Sequence, residues 1–343
     1  MRLTPVWTVG IVGCGRIAGI RHRPSRTGPI LSHAQAYARD SRFRLRAAVD
    51  PSKDALAAFQ QTWDVAAGYA SLPEMLDHET LDVVSLCSPT AWHATQALEI
   101  LSMPQPPRVL LLEKPVCRTS QELSMLREMV PHTSTTIVVN HTRRFDPAHQ
   151  QMADLIRSGA LGRLRAGRYT YYGGWLNNGT HLIDTLRMLL PGRLEIVAAE
   201  AAPGGRPGDD NLVVRCCSGD ATIVFEPVEE TDYVVFECDL RFENGRVQLL
   251  EAGASILVHR VMVNELDERV LARDEQYSQP GLRDPLARTI DVVSACLDGD
   301  DPSASIGVDF STAAETMALV WRAQALVRRP RRPHAMRAHA SRA

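Results

Sequence analysis

The chain has 343 residues, of which 45% are hydrophobic and 23% charged, and its formal net charge is −2. This length exceeds what one hydrophobic core usually serves, so we expect two domains, and the composition excludes wholesale disorder. No apolar run approaches the roughly 18 residues of a membrane span, and residues 1–9 lack the apolar core of a signal peptide, so we expect a cytoplasmic protein without a membrane partner.

Short apolar runs alternate with helical patterns over the first 140 residues. We expect strands at residues 7–12, 45–49, 83–87, 109–112 and 136–139, and helices at residues 51–63, 91–101 and 121–129. The last of these helices opens with Thr119 and Glu122, the spacing of a capping box. Because each helix is long enough to bridge parallel strands, residues 1–140 are predicted to form an α/β domain around a parallel sheet.

Residues 21–29 interrupt this alternation. The segment holds two prolines, one glycine and four positive or potentially positive side chains, and a second helical pattern resumes only at residues 32–38. The prolines and the glycine stop the preceding helix. The positive side chains either reach an anionic ligand or belong to a solvated surface loop, and the sequence leaves both open.

The order of the predicted helices and strands changes after residue 145. A helix at residues 147–158 precedes strand patterns at 164–172, 195–200, 211–216, 222–225, 233–242, 246–250 and 255–263, and helices follow at 285–297 and 311–328. Turn signals at residues 203–205, 218–220 and 243–245 separate several strands, which favours an antiparallel sheet of hairpins. We predict an α+β domain at residues 141–328 with an open, mostly antiparallel sheet, and a basic, disordered tail at residues 329–343.

Cysteines and basic residues narrow the classes of partner. Seven scattered cysteines without a Cys-x-x-Cys pair predict neither a disulfide framework nor a zinc site, and we expect no bound metal. The body of the chain offers no basic stripe or aromatic platform, so we expect no nucleic-acid partner.

The strongest motif is Gly13-Cys14-Gly15-Arg16-Ile17 followed by alanine, a G-x-G-x-x-A turn between a predicted strand and a helix. The first glycine permits the tight turn, the second lets a pyrophosphate approach the backbone, and the alanine lets helix and sheet pack closely. Asp50 ends the second predicted strand, where the hydroxyl groups of the adenosine ribose would bind. The motif and the acid together predict a site for NAD, and NADP is the less favoured alternative because a carboxylate repels a 2′-phosphate.

Only two of the 38 basic residues are lysines. Arginine does not lose its proton near neutral pH, whereas burial or a neighbouring cation can lower the pKa of a lysine. Lys114 follows the predicted strand at 109–112, and Lys53 lies three residues after Asp50. Both fall at the carboxyl ends of strands, where open α/β sheets bind ligands. We expect Lys114 to be functional and Lys53 to be a solvated residue at the start of a helix.

In these motifs the chain resembles the glucose-fructose oxidoreductase and inositol dehydrogenase family (Gfo/Idh/MocA), over nearly its whole length. The resemblance rests on the glycine turn, C-S-P-T-A-W-H at residues 87–93, E-K-P at 113–115, N-H-T-R-R-F at 140–145, S-G-A-L-G at 158–162 and N-N-G-T-H-L-I-D at 177–184. It implies a Rossmann domain, a second domain whose open sheet often forms the oligomer contact, and hydride transfer on a sugar or polyol. We therefore expect a homodimer or homotetramer that forms through the C-terminal sheet.

The resemblance also implies roles for individual residues. Lys114 is placed between the nicotinamide and the reacting hydroxyl, and His181 is the usual acid/base. The further residues expected to contact the cofactor are Ser88, Pro89, His93 and Glu113, and those expected to contact the substrate are Arg144, Tyr172, Trp175, Asn177, Asn178 and His181. The chemistry agrees, because oxidation of a secondary alcohol requires a proton acceptor with a pKa near 7 and a donor for the developing alkoxide.

Asn177 is a departure from the family, where many relatives have aspartate four residues before the histidine. Asparagine can hold a substrate hydroxyl, but it cannot carry a proton or stabilise an imidazolium by charge. Asp184, three residues after His181, either takes the orienting role or is a structural acid of the helix. We count Asn177 with Lys114 and His181 as the predicted catalytic residues.

These observations predict an NAD(P)-dependent oxidoreductase that acts on a secondary carbinol of a sugar, with a nucleotide-activated sugar favoured. Two alternatives stay open: an epimerase or lyase that retains its cofactor and oxidises the substrate transiently, and a non-catalytic, dinucleotide-sensing regulator. Retention of both Lys114 and His181 counts against the regulator.

Overall fold

Six parallel strands form the N-terminal sheet in the computed structural model, which describes residues 6–20, 27–229, 232–300 and 303–327. The strands are β1 (Trp7–Val12), β2 (Phe43–Val49), β3 (Ala67–Tyr69), β4 (Val83–Leu86), β5 (Val109–Leu112) and β6 (Thr136–Val139), in the spatial order β3-β2-β1-β4-β5-β6. The helices of this part are α1 (His33–Arg39), α2 (Lys53–Trp63), α3 (Leu72–His78), α4 (Thr90–Leu101) and α5 (Ser120–Met129). This strand order is that of the Rossmann fold, as predicted.

The strand order places a ligand crevice between β1 and β4. The chain leaves β1 in one direction and β4 in the other, and α/β proteins bind ligands outside the carboxyl ends of strands at such a switch point. The capping box is present, because Thr119 accepts the Glu122 N–H and the Glu122 side chain accepts the Thr119 N–H.

Residues 16–20, directly after the glycine turn, do not form the regular helix that we predicted between this turn and residue 21. Residues 16–20 form one turn, in which the Gly19 and Ile20 N–H groups both donate to the Gly15 carbonyl oxygen, at 3.0 and 3.2 Å. The first regular helix, α1, begins only at His33. Most of the basic segment at 21–29 lies outside the described residues, as does the predicted tail at 329–343.

The C-terminal sheet is mixed and mostly antiparallel, as predicted. Its strands are β7 (Leu164–Tyr171), β8 (Leu194–Arg206), β9 (Asp209–Ser218), β10 (Ala221–Pro227), β11 (Glu237–Phe242), β12 (Gly245–Leu250), β13 (Ser255–Val263), β14 (Arg269–Arg273) and β15 (Gln279–Pro280). They lie in the order β14-β13-β12-β11-β7-β10-β9-β8, with β15 paired to β13, and β7 and β10 are parallel. The helices are α6 (Pro147–Arg157), α7 (Thr180–Leu189), α8 (Pro285–Asp298), α9 (Ser303–Ile306) and α10 (Phe310–Leu326).

One predicted turn is wrong. The glycines at 203–205 lie inside β8, where the pairing with β9 shifts register between Ala201 and Gly205. Gly204 and Gly205 have φ angles of +78° and +98°, so they form a bulge instead of ending the strand. The hairpin turns two residues later, at Pro207 and Gly208, between Arg206 and Asp209.

The last helices return to the N-terminal sheet. Leu286, Ile290 and Val293 of α8 belong to the same core as β1, β2 and α1. Helix α10 bridges the two parts, since Met317 packs into the core around β5 and β6 whereas Val320 packs into the core of the second sheet. The division of the chain at residue 140 stays a prediction. No helix among the described residues is long and apolar enough to cross a membrane.

Candidate active site

A cleft of about 660 Å³ opens at the carboxyl ends of β1, β2 and β4. Its lining consists of Gly13, Gly15, Arg16, Ile17, Leu31, Asp50, Cys87, Ser88 and Pro89. Seven of these residues were predicted to contact a dinucleotide, whereas Leu31 and Cys87 were not. No motif marks Leu31, because it reaches the cleft only after the interruption at 21–29.

Gly13 and Gly15 are suited to the turn for different reasons. Gly13 has a φ of +87°, and a Cβ there would lie 2.6 Å from the Ser88 Cα, so only glycine fits beside the turn after β4. A Cβ on Gly15 would meet nothing within 4 Å. The backbone at Gly15 therefore faces open space of the kind that a pyrophosphate requires. The residues present fit a dinucleotide.

Asp50 ties the glycine turn to the start of α2. Its Oδ2 accepts the Cys14 N–H at 2.9 Å, and its Oδ1 accepts the Ser52 N–H at 2.8 Å. The carboxylate is thus held in one orientation at the edge of the cleft. Lys53 begins α2 and is exposed, as expected.

Three residues predicted to contact the cofactor are buried away from the cleft. The Cys14 sulfur is fully buried, so only its backbone is available. His93 is 1% exposed, and its ring lies between two carbonyl oxygens, of Pro115 at 2.6 Å and of Ser88 at 2.7 Å. The side chain of His93 therefore holds the turn after β4 against the segment after β5, and its cofactor contact stays a prediction.

Glu113 is the third of these residues. It is buried beside His33, whose Nε2 lies 2.8 Å from Glu113 Oε1, and the same oxygen accepts the Asn140 side-chain N–H at 2.6 Å. Burial opposes charge on both side chains. The pKa of Glu113 is nevertheless lowered by His33, and the pKa of His33 is raised by Cys87 first and by Glu113 second. Glu113 thus positions the strand end that carries Lys114 instead of contacting the cofactor.

The side chains of Lys114 and Asn177 form a hydrogen bond. The Lys114 ammonium donates to Asn177 Oδ1 at 2.9 Å across the junction of the two domains. Burial lowers the pKa of Lys114 to about 8, and the nearby charges of Arg143 and Arg206 act in the same direction. Lys114 can therefore both hold and release a proton near neutral pH.

The backbone of Asn177 is held by Asp209, a residue that the sequence analysis did not identify. Residues Trp175–Gly179 form one π-helical turn, and Asp209 accepts the N–H groups of Leu176 at 2.6 Å and Asn177 at 2.9 Å. Gly174 makes room for it, since a Cβ there would lie 2.4 Å from the Asp209 Cγ. Beside this contact lies a smaller cleft of about 260 Å³, lined by Thr90, Ala91, Pro115, Arg118, Leu176, Asn177, Pro207, Gly208 and Asp209.

His181 lies in the first turn of α7 and is half-buried. Its ring packs edge-on against Phe236, with 6.1 Å between ring centroids, and its side chain makes no ion pair with any described residue. Burial, followed by the charges of Lys114 and Arg143, lowers the pKa of His181 well below its usual value. The imidazole is therefore neutral at pH 7 and can accept a proton.

Asp184 does not orient His181. Its two carboxylate oxygens each accept the Arg144 Nε–H at 2.9 Å, and His141 Nδ1 lies 3.5 Å from Oδ2. The structural alternative for Asp184 is therefore the correct one. Arg144 is 6% exposed and paired with Asp184, and its contact with substrate stays a prediction.

The remaining residues predicted to contact the substrate differ in how deeply their side chains are buried. Trp175 is fully buried and donates its indole N–H to the Val320 carbonyl oxygen at 2.9 Å, and its substrate contact stays a prediction. Asn178 is 7% exposed and donates to the Tyr172 carbonyl oxygen, which holds the chain around Gly173. Tyr172 is half-buried, and its substrate contact stays a prediction. Tyr171 is fully buried, and its hydroxyl donates to the Leu212 carbonyl oxygen at 2.7 Å.

Residues 7–141 match a family described as "Oxidoreductase family, NAD-binding Rossmann fold" (GFO_IDH_MocA). One curated relative is 4-carboxy-2-hydroxymuconate-6-semialdehyde dehydrogenase of a Sphingobium species, with 30% identity over 119 residues, which cover 33% of this chain and 37% of that protein. The chain covers less than two thirds of the length of the curated relatives it matches.

Two solved structures show the same fold over nearly the whole chain. One is KijD10, a 3-ketoreductase from Actinomadura kijaniata in complex with NADP, with a TM-score of 0.74, 19% identity, and coverage of 94% of this chain and 98% of that chain. The other is the WlbA dehydrogenase from Bordetella pertussis in complex with NADH and UDP-GlcNAcA, with a TM-score of 0.72, 18% identity, and coverage of 93% and 95%. Over residues 7–141 the chain is therefore similar to the Gfo/Idh/MocA oxidoreductases.

Proposed function

We propose that this protein is an NAD(P)-dependent oxidoreductase that moves hydride to or from a secondary carbinol or keto carbon of a sugar. The observation that carries the proposal is the Lys114–Asn177 contact, which lies beside the smaller cleft lined by Asn177 and is near enough to His181 for the charge of Lys114 to lower its pKa. A lysine with a lowered pKa next to a neutral imidazole supplies both halves of the proton chemistry that alcohol oxidation and ketone reduction need.

A bound nicotinamide supplies the hydride acceptor in oxidation and the hydride donor in reduction. In oxidation, the substrate hydroxyl gives its proton to the neutral His181 imidazole, while the Lys114 ammonium stabilises the developing charge on oxygen. In reduction the same step runs backward: the proton returns from His181 to the oxygen, and the Lys114 ammonium, mostly protonated below its pKa of about 8, again stabilises the charge on that oxygen. Asn177 fixes the direction in which the ammonium points.

A nucleotide-activated sugar is the favoured substrate class. KijD10 is crystallised with TDP-benzene and NADP, and WlbA with UDP-GlcNAcA and NADH, which supports a substrate that carries a nucleotide. Asp50 at the edge of the cleft favours NAD over NADP. We also propose a cytoplasmic homodimer or homotetramer that forms through the C-terminal sheet.

The proposal is tested in two steps. Calorimetric titration with NADH and NADPH measures cofactor binding, and a screen of cofactor reduction over free and nucleotide-linked sugars identifies turnover. Folded protein that binds neither cofactor at millimolar concentration would remove the central premise.

Lys114→Arg tests the site itself. Arginine keeps the charge, but it is longer and cannot adopt the point-donor geometry of lysine, so turnover should be abolished while cofactor affinity stays within about tenfold. Lys53→Arg is the matched control, because Lys53 is the other lysine of the chain and is exposed. A Lys114→Arg variant with nearly wild-type kcat would contradict the proposal.

A further inference from the structure

Arg143 is a buried cation without an acid. It lies in the turn Thr142–Phe145 after β6 and is 7% exposed. No carboxylate lies within ion-pair distance of it among the described residues, and its buried Nε–H has no hydrogen-bond partner there. Burying a charge is costly unless it is paired, so this arrangement calls for a partner that the described chain does not provide.

The guanidinium lies next to the candidate catalytic residues. Its Cζ is 4.4 Å from the centroid of the Phe236 ring, and the same ring contacts His181 edge-on. Arg143 and His181 therefore both contact the Phe236 ring. The positive charge of Arg143 also reaches Lys114 and His181, since it lowers the pKa of both.

A strained turn holds the guanidinium in this position. Arg143 donates from Nη2 to the Ala252 carbonyl oxygen at 2.5 Å. Glu251, Ala252 and Gly253 have successive φ angles of +51°, +60° and +96°, which is unusual for the first two because they carry a Cβ. A Cβ on Gly253 would lie 3.3 Å from Arg143 Nε. The backbone therefore curls around Arg143 without neutralising it.

The nearby acids are engaged elsewhere. Glu113 pairs with His33, Asp184 pairs with Arg144, and Asp146 lies 2.6 Å from His149. Asp209 accepts the two backbone N–H groups that begin the π-helical turn. The side chains around His181 thus present an excess of positive charge toward the place of the substrate.

We propose that the substrate carries a carboxylate close to its reacting carbon and that Arg143 binds this carboxylate. The planar guanidinium suits such a group, and bonds between two charged partners are about twice as strong as neutral ones. This inference rests on the proposed function for the location of the reacting carbon. A diphosphate of a nucleotide is the other source of negative charge, and the test separates the two.

The test is calorimetric titration of the NADH-loaded protein with matched ligands. The carboxylate probes are D-glucuronate, D-galacturonate and L-tartrate, against D-glucose, D-galactose and threitol; UDP-glucuronate and UDP-glucose form the nucleotide pair. At least one carboxylate should bind about 10- to 100-fold more tightly than its neutral counterpart. Arg143→Met should remove that preference and leave the affinity for the neutral counterpart within about threefold.

Two further variants control the experiment. Arg143→Lys keeps the charge without the fork, so it should retain part of the preference even if Arg143→Met folds poorly. Arg165→Met removes an exposed arginine paired with Glu243 and should leave the preference intact. Affinity for NADH reports whether each variant is folded.

Each outcome decides the inference. It is overturned if no carboxylate is preferred, if the preference survives in Arg143→Met, or if only the nucleotide part of UDP-glucose gains affinity through Arg143. Turnover of neutral sugars without a carboxylate preference would leave the proposed function standing and this inference wrong. Carboxylate binding through Arg143 without hydride transfer to any ligand would do the reverse.

Discussion

Replacing Asn177 by aspartate puts a carboxylate against the buried ammonium of Lys114. The two side chains differ only in the terminal group, and the backbone N–H of residue 177 can keep its bond to Asp209. The Lys114 ammonium, which donates to Asn177 Oδ1 in the wild type, would then donate to a charged oxygen. Since an opposite charge favours the charged form, the pKa of Lys114 should rise.

The size of this rise follows from the geometry. Two unit charges 2.9 Å apart attract by about 6 kcal/mol at an effective dielectric constant of about 20, a ceiling of about four pH units. Desolvation of the new carboxylate and repulsion by Asp209 remove a large part of that gain. We expect the titration midpoint of Lys114 to move from about 8 upward by about one to two pH units.

The chain allows this to be measured without a substrate. It contains two lysines, so protein labelled with ¹³C at lysine Cε gives two signals in an NMR titration. Lys53 is exposed at the start of α2 and serves as the reference. Asn177→Leu removes the acceptor without adding charge, so it should move the midpoint of Lys114 downward. A midpoint that neither variant moves, in protein of unchanged fold, would refute the proposed contact.

Three further predictions use stability and binding. Folding lowers the pKa of Lys114, so its ammonium destabilises the folded protein below about pH 8, and this destabilisation declines as the pH approaches 10.5. Lys114→Met should therefore raise the free energy of unfolding by about 1–3 kcal/mol at pH 7. A gain in stability that does not shrink at pH 10 would contradict this. Gly13→Ala should destabilise the fold in thermal scans because its Cβ has no room, whereas Gly15→Ala should fold normally and lose at least about tenfold in NADH affinity by calorimetry. Glu113→Gln removes the acid that pairs with buried His33 and should cost about 3–5 kcal/mol in denaturant unfolding at pH 6. The difference from wild type should shrink as the pH falls below 4.5, where this carboxyl is protonated in the unfolded chain, towards the lower pKa that Glu113 has in the folded protein; equal stability at pH 6 would refute the pairing.

Buried strands were predictable because their sequence signal is local. The runs at residues 7–12, 109–112 and 136–139 match β1, β5 and β6 residue for residue, since an apolar run between turn signals needs no tertiary information. Strand β3 has three residues and β15 has two, too few for a periodic pattern. Strand β14 is rich in arginine and pairs only with β13, so no buried face marks it in the sequence.

The site was predictable only as far as the motifs reach. Lys114 comes from one motif and Asn177 and His181 come from another, and the structure brings the two motifs together, although the catalytic roles of these residues stay predictions. Asp209 was missed because it acts through backbone N–H groups and belongs to a hairpin whose turn the sequence misplaced.

The adjacent residues Arg143 and Arg144 show a second limit of prediction from the sequence. Both arginines are buried, but only Arg144 meets a carboxylate, that of Asp184 in α7. Two adjacent residues of one type carry the same local signal, and the difference between them is set by which face of the turn meets α7. Sequence reasoning chose Arg144 for the substrate, whereas the unpaired guanidinium is that of Arg143.

The rarity of lysine can be connected with this arrangement. An arginine stays charged even when buried, so it suits positions such as Arg143 and Arg144, where a permanent cation must meet an acid or a ligand. A lysine is the basic side chain whose charge burial can bring into the working range of a proton transfer, as the pKa of about 8 for Lys114 illustrates. Lys53 is exposed and lacks that burial, so the composition alone offers two candidates and the surroundings select one. Exchange of a lysine for an arginine is therefore neutral or damaging according to whether the site needs a proton that can leave.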